Sequence, residues 1–389
     1  AIAMGCEFNE IEGRLRAGID RPIAPRIVNS GPAREIFIEG EDVDLYTLPV
    51  PLFSVRDGGP MMTAGITLAE DPDLGLNAGI YRMLVKDRNT TGIDVVTPNN
   101  LRKLAEKAFA KGEPLPISVN IGTHPSALIT GCFKAAPGVD EVAMAGGMLG
   151  EAVELTPCKT ISTPCIADAE IVLEAELLPT GWTKPEGRFG EFTRLMGGLH
   201  WNPLVRIKAI SMRKNPMYYA LHMPWENIWP SGPIYEAAVR RALHEAGVQV
   251  SGVNITPGGC CHWHAVISVK PLPGDGKNAI LAALSVADMK HVIVVDEDVD
   301  IHSTKEVFQT VGARWQPYPG AKLIEDGPGF FLDPSAKTRG KSSRILIDAT
   351  RQLPEENGPS PYPKLNKEHL VEHAPEIFAL VEEKWGHLI

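Results

Sequence analysis

The segment PEGRFGE, residues 185–191, contains two carboxylates, Glu186 and Glu191, five positions apart. Two glycines and Arg188 lie between them, and glycine lets a backbone adopt positive φ and approach a ligand closely. Paired carboxylates beside a cation are a recurrent arrangement for acid–base chemistry. The spacing therefore predicts a fixed, irregular loop that presents charged groups to a ligand, although a solvated turn also combines charge and glycine.

Composition restricts the classes of protein to which this chain can belong. Its 389 residues exceed the usual length of one domain, so we expect two or three domains. A formal charge of −10 argues against a general nucleic-acid surface. The six cysteines contain no CxxC pair and indicate reduced thiols rather than a disulfide scaffold. No apolar run approaches the roughly 18–20 residues of a membrane span.

These features predict a cytoplasmic protein without nucleic-acid or membrane partners. The sequence begins Ala1-Ile2, which does not resemble a native start, and we expect an N-terminal piece to be missing. No P-loop and no GxGxxG fingerprint after a strand is present, so a nucleotide-dependent kinase or a Rossmann dehydrogenase has little support.

Short strands dominate the residues around the loop. Apolar and β-branched runs predict the strands, helical spacing predicts the helices, and strands with inserted helices predict a barrel or a strongly curved sheet. Residues 204–212 and 217–221 predict a hairpin. The other predicted strands are 35–38, 61–68, 79–86, 91–96, 115–121 and 169–178, and the predicted helices are 99–111 and 139–149.

Helices and strands alternate after Pro233. This alternation predicts a separate α/β domain with a mainly parallel sheet. A proline-rich stretch, 354–363, leads to a terminal helix over residues 367–384, of a kind that often docks on another subunit. The predicted helices of this domain are 235–246, 277–287 and 305–312, and the strands are 248–256, 265–269 and 291–295.

Isolated charges mark further candidate residues. Arg82 lies in an otherwise apolar segment, and a buried arginine needs either an acidic partner or an anionic ligand. Glu141, near the start of helix 139–149, is suited to the helix dipole or to a hard cation such as Mg²⁺ or Mn²⁺.

The C-terminal part adds aromatic and histidine candidates. His262 and His264 face one side of a predicted strand, which fits a zinc site or a buried histidine beside an exposed one. Trp225 and Trp229 belong to the segment 223–230, which fits a pocket wall and an interdomain hinge equally well.

Five segments together resemble the UbiD family of prenylated-FMN-dependent decarboxylases. The loop PEGRFGE is similar to the PEGPFGE-type signature of that family. The resemblance covers nearly the whole chain and implies a split β-barrel cofactor-binding domain joined to an α/β domain. The other similar segments, in the family's order, are NAGIYRML (77–84), GVDEVAMAGGMLGEAVEL (138–155), VVDEDVDI (294–301) and ILIDATRQ (345–352). The implied divisions are 1–60, 61–222, 223–353 and 354–389, the last being the linker and a C-terminal helix at an oligomer contact.

The resemblance also implies roles for particular residues. The family's catalytic Arg–Glu–Glu group falls on Arg82, Glu186 and Glu191, with Glu191 as the proton donor. The ligands of the divalent metal that holds the cofactor phosphate fall on Asn77, Asn100 and Glu141. Two departures occur: Asn100 replaces the usual histidine, which puts the identity or affinity of the metal in doubt, and Arg188 stands where proline is common. The implied cofactor-binding residues are Asn77, Ile80, Tyr81, Arg82, Asn99, Asn100, Gly131, Cys132, Phe133 and Glu141.

The implied reaction is reversible non-oxidative decarboxylation of an aromatic, heteroaromatic or α,β-unsaturated carboxylic acid through a covalent prenylated-FMN adduct. Loss of CO₂ from an sp² carbon leaves an electron pair that cannot delocalise into the π system, so a cofactor must accept the electrons. The implied cofactors are prenylated FMN, Mn²⁺ (or Mg²⁺) and K⁺, with a flavin prenyltransferase as supplier and a homodimer or homohexamer as the assembly. The alternatives are an ordinary flavin oxidoreductase on a split barrel and a catalytically silent flavin-binding protein.

Overall fold

The computed structural model describes residues 2–7, 10–223, 225–270, 272–286, 289–351, 353 and 371–388. Two main sheets organise these residues, a curled sheet of nine strands and a sheet of five strands in the C-terminal part. The predicted fold class, a barrel-like sheet joined to an α/β unit, is confirmed. Within the described ranges no helix is long and apolar enough to cross a membrane. The predicted linker 354–363 and the first four residues of the predicted terminal helix lie outside the described residues.

The curled sheet has the strand order β3-β6-β7-β14-β11-β8-β4-β5, and β2 adds to β14. The elements up to β14 are, in chain order, α1 (Ile11–Asp20), β1 (Arg26–Ile27), β2 (Ile36–Glu39), β3 (Met61–Met62), β4 (Ile66–Asp71), β5 (Gly75–Ile80), β6 (Met83–Asp87), β7 (Thr90–Gly92), α2 (Asn100–Phe109), β8 (Leu115–Ile121), α3 (Pro125–Gly131), α4 (Glu141–Leu149), β9 (Glu154–Thr156), β10 (Cys165–Ile166), β11 (Ile171–Leu177), β12 (Lys184–Glu186), β13 (His200–Asn202) and β14 (Leu204–Met212).

Apolar side chains fill the inside of the curled sheet because alternate residues of a strand point to one face. Ile117, Val119 and Ile121 of β8 are at most 1% exposed. Strand β11 pairs antiparallel with β8 on one side and with β14 on the other. Helix α2 covers this core with its own apolar face, from which Leu101 and Leu104 are buried. The strands and the helix with the most regular sequence patterns therefore form and cover the centre of the curled sheet.

The C-terminal sheet has the order β15-β16-β17-β19-β18. Strands β16, β17 and β19 are parallel, whereas β15 and β18 pair antiparallel at the two edges. The prediction of a mainly parallel sheet was therefore wrong at both edges, and the sheet is mixed. The elements are α5 (Ser231–Glu245), β15 (Val250–Ile255), β16 (His264–Val269), α6 (Asp275–Leu284), β17 (His291–Asp296), α7 (Thr304–Arg314), α8 (Pro317–Gly320), β18 (Ala321–Pro328), β19 (Lys341–Asp348) and α9 (Pro375–Trp385).

Two predicted strands are each divided in the structure. Residues 61–68 form β3 and β4, because β3 pairs with β6 while β4 pairs with β5 and β8. Residues 79–86 contribute to β5 and β6, with Tyr81 and Arg82 between them. The chain leaves one ladder and enters another at this connection, and the side chain of Arg82 lies where the ladder is interrupted.

The predicted hairpin of residues 204–212 and 217–221 was wrong. Residues 204–212 form β14, whose partners are β2, β7 and β11. The following segment forms no strand; instead the amide of Met217 donates to Glu170 and the carbonyl of Leu221 accepts from Thr63. The predicted loop 185–191 also begins as a strand, since Glu186 ends β12 and β12 pairs with β13.

The two sheets are joined by helices and by an aromatic contact. Helices α1 and α4 pack together, and α1 also packs on α5 of the C-terminal part. Next to the PEGRFGE loop, Phe192 packs on Trp263 and Phe330 from the C-terminal part, with ring centroids 5.1 and 5.8 Å apart. The loop therefore lies at the junction of the two sheets.

Candidate active site

Arg82 brings three carboxylates together. Oε2 of Glu186 accepts hydrogen bonds from Nε and Nη2 of Arg82, at 3.2 and 3.0 Å. Nη1 contacts Oε1 of Glu191, and Nη2 lies 2.7 Å from Oδ2 of Asp94. The side chains are mostly buried, Asp94 being the most exposed at 15%. The structure thus assembles the three residues predicted to be catalytic and adds a fourth.

Glycines bring the backbone close to the two glutamates. Gly187 has φ +100°, and a Cβ there would lie 2.8 Å from the carbonyl oxygen of Gly198. A Cβ on Gly197 would lie 2.6 Å from Oε1 of Glu191. Side chains at these positions would displace the acid or its loop, so the glycines fix where Glu191 lies.

A second loop, residues 54–60, supports the first from outside. The amide of Gly58 donates to the carbonyl of Arg188 at 2.9 Å. Phe189 is fully buried between them, with Phe53 against its ring edge and the guanidinium of Arg82 5.8 Å from its centroid. The aromatic ring of the signature is therefore a packing element beneath the charged cluster.

The carboxylates in the cluster differ in acidity. Burial raises the pKa of Glu186 and of Glu191, and outweighs the attraction of Arg82. For Asp94, burial acts in the same direction, but the hydrogen bond from His200 and the charge of Arg82 together lower the pKa to about 2. The single guanidinium balances the charge of ionised Asp94, and this favours the protonated forms of Glu186 and Glu191.

Sequence reasoning missed Asp94 and His200. Asp94 is the only charged residue in the predicted strand 91–96, and an isolated charge in an apolar run was the signal that could have found it. The structure ends β7 at Gly92 and turns Asp94 towards Arg82. His200 carries no comparable signal, because its position opposite Glu186 follows from the pairing of β12 with β13.

The three residues predicted to bind a metal lie on neighbouring elements. Asn77 of β5 and Asn100 of α2 line one small cavity with residues 137–139. Glu141 begins α4, and its Oε2 accepts from the amide of Ala78 at 2.9 Å. Burial raises the pKa of Glu141 to about 7. The side-chain nitrogen of Asn77 is buried without a hydrogen-bond partner among the described residues.

This donor set fits one hard cation. A carboxylate and two amides supply the anionic and neutral oxygens that Mg²⁺ or Mn²⁺ prefers. The Nδ2 of Asn77, unpaired among the described residues, is a hydrogen-bond donor that suits an anion such as phosphate, and only the oxygen of this amide can coordinate a cation. The cavity of about 10 Å³ has room for one water-sized particle. It is too small for a flavin phosphate. No group of three or more His, Cys, Asp or Glu side chains in the described chain is placed to hold a metal.

The other predicted cofactor residues form a second group around the end of α3. A Cβ on Gly131 would lie 3.4 Å from Cγ1 of Ile80, so α3 and β5 approach closely. Cys132 hydrogen-bonds to Ser231, and Phe133 packs on Tyr235 at 5.6 Å. These contacts place the segment between the curled sheet and α5.

Tyr81 and Asn99 are held by neighbouring residues. Tyr81 packs against the core of the curled sheet, and burial raises the pKa of its hydroxyl well above the usual range. Asn99 caps α2, since its Oδ1 accepts from the amide of Arg102 at 2.8 Å and its Nδ2 donates to the carbonyl of Thr97 at 2.7 Å. The side chain of Asn99 is thus occupied by the helix cap.

The histidines and tryptophans of the C-terminal part take separate positions. The ring of His262 lies 5.2 Å from the ring of Phe192, whereas His264 meets His291 edge to face at 4.6 Å. The zinc interpretation therefore gains no third ligand among the described residues. Trp225 is half exposed beneath Arg194, whose guanidinium lies 4.7 Å from its ring.

Comparison with known proteins identifies the family. Residues 26–224 match the model of the 3-octaprenyl-4-hydroxybenzoate carboxy-lyase Rift-related domain, UbiD. Residues 229–349 match the C-terminal domain of the same carboxy-lyase. The chain belongs to the UbiD family and is a carboxy-lyase.

Individual relatives agree with this assignment. The anhydromevalonate phosphate decarboxylase of Methanothermobacter thermautotrophicus is 32% identical over 91% of this chain and 83% of its own. The UbiD-class enzyme HmfF of Pelotomaculum thermopropionicum, solved with FMN, is 35% identical, with a TM-score of 0.84 over 94% of this chain and 84% of its own. The 3,4-dihydroxybenzoic acid decarboxylase AroY of Klebsiella pneumoniae is 28% identical, with a TM-score of 0.82 over 97% of this chain and 84% of its own.

Proposed function

We propose that this protein catalyses the reversible non-oxidative decarboxylation of an aromatic, heteroaromatic or α,β-unsaturated carboxylic acid with prenylated FMN. The observation that carries the proposal is the contact of one guanidinium, Arg82, with Glu186 and Glu191 in a UbiD-family carboxy-lyase. A similar solved structure, HmfF in an evolved dimeric form, contains prenylated FMN. Prenylated FMN, when bound, supplies the electron sink that cleavage at an sp² carbon requires.

Arg82 orients the substrate. Its guanidinium is mostly buried, and three acids hold it in one geometry. A planar fork of donors binds a carboxylate at two points, so the substrate carboxylate exchanges for one of the acids in the approach to the reacting position. A protonated glutamate is neutral, so the loss of its contact with the guanidinium has the lowest electrostatic cost.

Glu191 donates the proton that replaces CO₂. It must be protonated at that stage, and burial raises its pKa in this site. Glu186 shares Arg82, and its Oε1 is buried without a hydrogen-bond partner among the described residues. That open oxygen suits Glu186 to return a proton to Glu191.

Asn77, Asn100 and Glu141 would hold a divalent ion, Mn²⁺ or Mg²⁺, and the ion would neutralise the phosphate of the cofactor. The segment Thr130–Phe133 would hold the cofactor and K⁺ through backbone carbonyls. The carbonyl of Thr130 already accepts from the amide of Phe133 at 3.0 Å, so its second lone pair is the one available to an ion. A flavin prenyltransferase would supply the cofactor.

The relatives widen the range of candidate substrates. Several curated relatives are anhydromevalonate phosphate decarboxylases. Arg188 lies between the two acids in the sequence, Arg194 follows Glu191 by three residues, and both arginines are exposed. Exposed arginines bind phosphate bidentately, so a phosphorylated unsaturated acid belongs beside the aromatic acids in a substrate screen.

We also propose that the chain forms a homo-oligomer through α9. Val381, Trp385 and Leu380 lie on one face of this helix and are 36–51% exposed. No side chain of α9 is buried in the described chain. An apolar stripe of this kind is stable in water when a second subunit covers it.

Co-expression with a flavin prenyltransferase tests the proposal. Mass spectrometry and the visible spectrum of the purified protein report the cofactor, and CO₂ release from a panel of acids reports the reaction. We expect prenylated FMN and turnover of at least one acid. Hydride transfer with an ordinary flavin spectrum would indicate an oxidoreductase, and a bound cofactor with no turnover of any acid would indicate a flavin-binding protein.

A further inference from the structure

Behind Arg82, a hydrogen-bonded chain leads away from the two glutamates. Oδ2 of Asp94 lies 2.7 Å from Nη2 of Arg82 and 2.9 Å from Nδ1 of His200. Nε2 of His200 lies 3.2 Å from Nη2 of Arg339. Asn202 adds a contact of 3.5 Å to the other oxygen of Asp94. The hydrogen-bonded chain runs from the guanidinium of Arg82 to Arg339 in the C-terminal part.

The hydrogen bonds fix the protonation of His200. A guanidinium only donates, so Nε2 of His200 must accept from Arg339 and carries no proton. Nδ1 then carries the proton of a neutral imidazole and donates it to Asp94. Asp94 in turn is an ionised acceptor, because Arg82, His200 and Asn202 all donate to it. A neutral His200 therefore connects two charged arginines through one carboxylate.

Arg339 reaches this site from the loop between β18 and β19. Its guanidinium lies 5.3 Å from the ring of Phe331, which restricts the orientation of the side chain. Lys290 and Asp333 form an ion pair at 3.0 Å that ties the same loop to the residue preceding β17. The contact with His200 therefore forms only when the C-terminal part is docked on the curled sheet.

We propose that Asp94 and His200 are positioning residues for the catalytic group, and that Arg339 is the contact through which the C-terminal part completes them. Asp94 holds one side of the guanidinium of Arg82, so that its remaining donors point at Glu186 and Glu191. The fixed negative charge of Asp94 also favours the protonated form of those two glutamates. The catalytic role that this inference gives to these residues rests on the proposed function. Their arrangement rests on the observed hydrogen bonds alone.

Other charged groups also act on Glu186 and Glu191. Arg82 favours their ionised forms, and Asp94 opposes ionisation. Lys86 lies near Glu186, and Asp57 lies near Gly190 and Arg82. Among these groups, Asp94 shares the guanidinium of Arg82 with both glutamates and can be neutralised without removing a direct contact of Glu191.

Three variants test the proposal: Asp94→Asn, Arg339→Gln and, as the matched control, Lys337→Gln. Asparagine preserves the shape of the side chain and can still accept from His200, but it removes the charge. Arg339 and Lys337 are exposed cations of one loop, so their replacement leaves the core intact. Two readouts are needed: the pH profile of kcat in the reconstituted enzyme, and the infrared carboxylic-acid band of Glu191 in ¹³C-glutamate-labelled apoprotein, assigned with Glu191→Gln.

In Asp94→Asn we expect kcat to fall roughly 10- to 100-fold at neutral pH, as for a misplaced catalytic group. Its decline at high pH should begin at lower pH than in the wild type. The Glu191 acid band should also titrate at lower pH, and Arg339→Gln should change this titration as well. Lys337→Gln should match the wild type in both readouts.

A folded Asp94→Asn protein whose Glu191 band titrates as in the wild type would overturn the proposal, as would an Arg339→Gln protein indistinguishable from Lys337→Gln. The infrared titration uses the apoprotein, so it tests the network even when no acid of the panel is decarboxylated. Failure of the proposed function and failure of this inference are therefore distinguishable.

Discussion

Oε2 of Glu186 accepts hydrogen bonds from both Nε and Nη2 of Arg82, although 104 positions of sequence separate the two residues. The other oxygen of Glu186 has no hydrogen-bond partner among the described residues. A buried carboxylate with one open oxygen is expensive unless a proton or a ligand occupies it. The pair of Arg82 and Glu186 is therefore better suited to catalysis than to stabilising the fold alone.

Replacing Glu191 tests the proton donor. In Glu191→Gln we expect the rate of decarboxylation to fall about 10²- to 10⁴-fold, the usual contribution of general acid catalysis, with cofactor content unchanged. CO₂ release from reconstituted protein measures the rate. Glu176→Gln, at the surface pair with Lys208 on the same curled sheet, is the control and should keep the wild-type rate. A near wild-type rate in Glu191→Gln would exclude this role.

Replacing Arg82 tests the orientation of the substrate. Lysine keeps the charge but loses the planar fork, so Arg82→Lys should lower kcat/KM by about 10²-fold and raise KM. Steady-state kinetics at several substrate concentrations separate the two effects. Arg88→Lys, in the exposed pair with Asp44, should change neither parameter. Equal kinetics in the two variants would contradict the assignment.

Replacing Asn100 tests the metal site. In Asn100→Ala we expect Mn²⁺ affinity to fall about 10-fold or more, with a parallel loss of bound flavin. Metal analysis after dialysis against graded Mn²⁺ measures this affinity. Asn278→Ala, at an exposed position of α6, is the control. Unchanged Mn²⁺ binding in Asn100→Ala would remove Asn100 from the ligand set.

The stability of the protein should depend on Asp94 in acid. The pKa of Asp94 is about 2 in the folded protein and about 3.9 in an unfolded chain, so its ionisation contributes about 2–3 kcal/mol. Because the folded pKa is depressed, this contribution is complete above about pH 4 and is lost as the pH falls towards 2. Urea unfolding of wild type and Asp94→Asn should therefore differ at pH 7 and converge below pH 4. A difference in the free energy of unfolding that does not change with pH would contradict this prediction.

Disrupting the apolar face of α9 should dissociate the oligomer. A charge at Leu380 or Trp385 would have to be buried in the contact, so Leu380→Glu with Trp385→Glu should yield monomers. Light scattering coupled to gel filtration measures the mass. Glu383→Gln, away from the apolar face, should leave the mass unchanged. An oligomer that survives the double substitution would place the contact elsewhere.

Local patterns were sufficient for much of the fold. The apolar run of β8 and the helical spacing of α2 predicted both elements within one or two residues, because their burial is regular along the chain. The isolated charge of Arg82 and the acid pair of the loop also pointed to the site, since each is unusual in its own segment. The resemblance to the UbiD family connected them.

The features of the fold and the site that the sequence did not predict depend on pairing between strands that are distant in the chain. Residues 217–221 have strand-like composition, but they do not pair with β14, whose partners are β2, β7 and β11. The strand that ends before Arg82 stops because the ladder changes partners there. His200 meets Asp94 through the pairing of β12 with β13, across 106 positions. No local sequence pattern predicts which residues of two distant strands pair with each other.

Deuterium transfer in the reconstituted enzyme tests the central claim most directly. Turnover of an accepted acid in D₂O should release one CO₂ for each deuterium placed on the carbon that carried the carboxyl group. The same protein with Glu191→Gln should release neither CO₂ nor deuterated product at a comparable rate while retaining its flavin. Equal deuterium incorporation by the two proteins, or oxidation of the acid with its carboxyl group intact, would contradict the account.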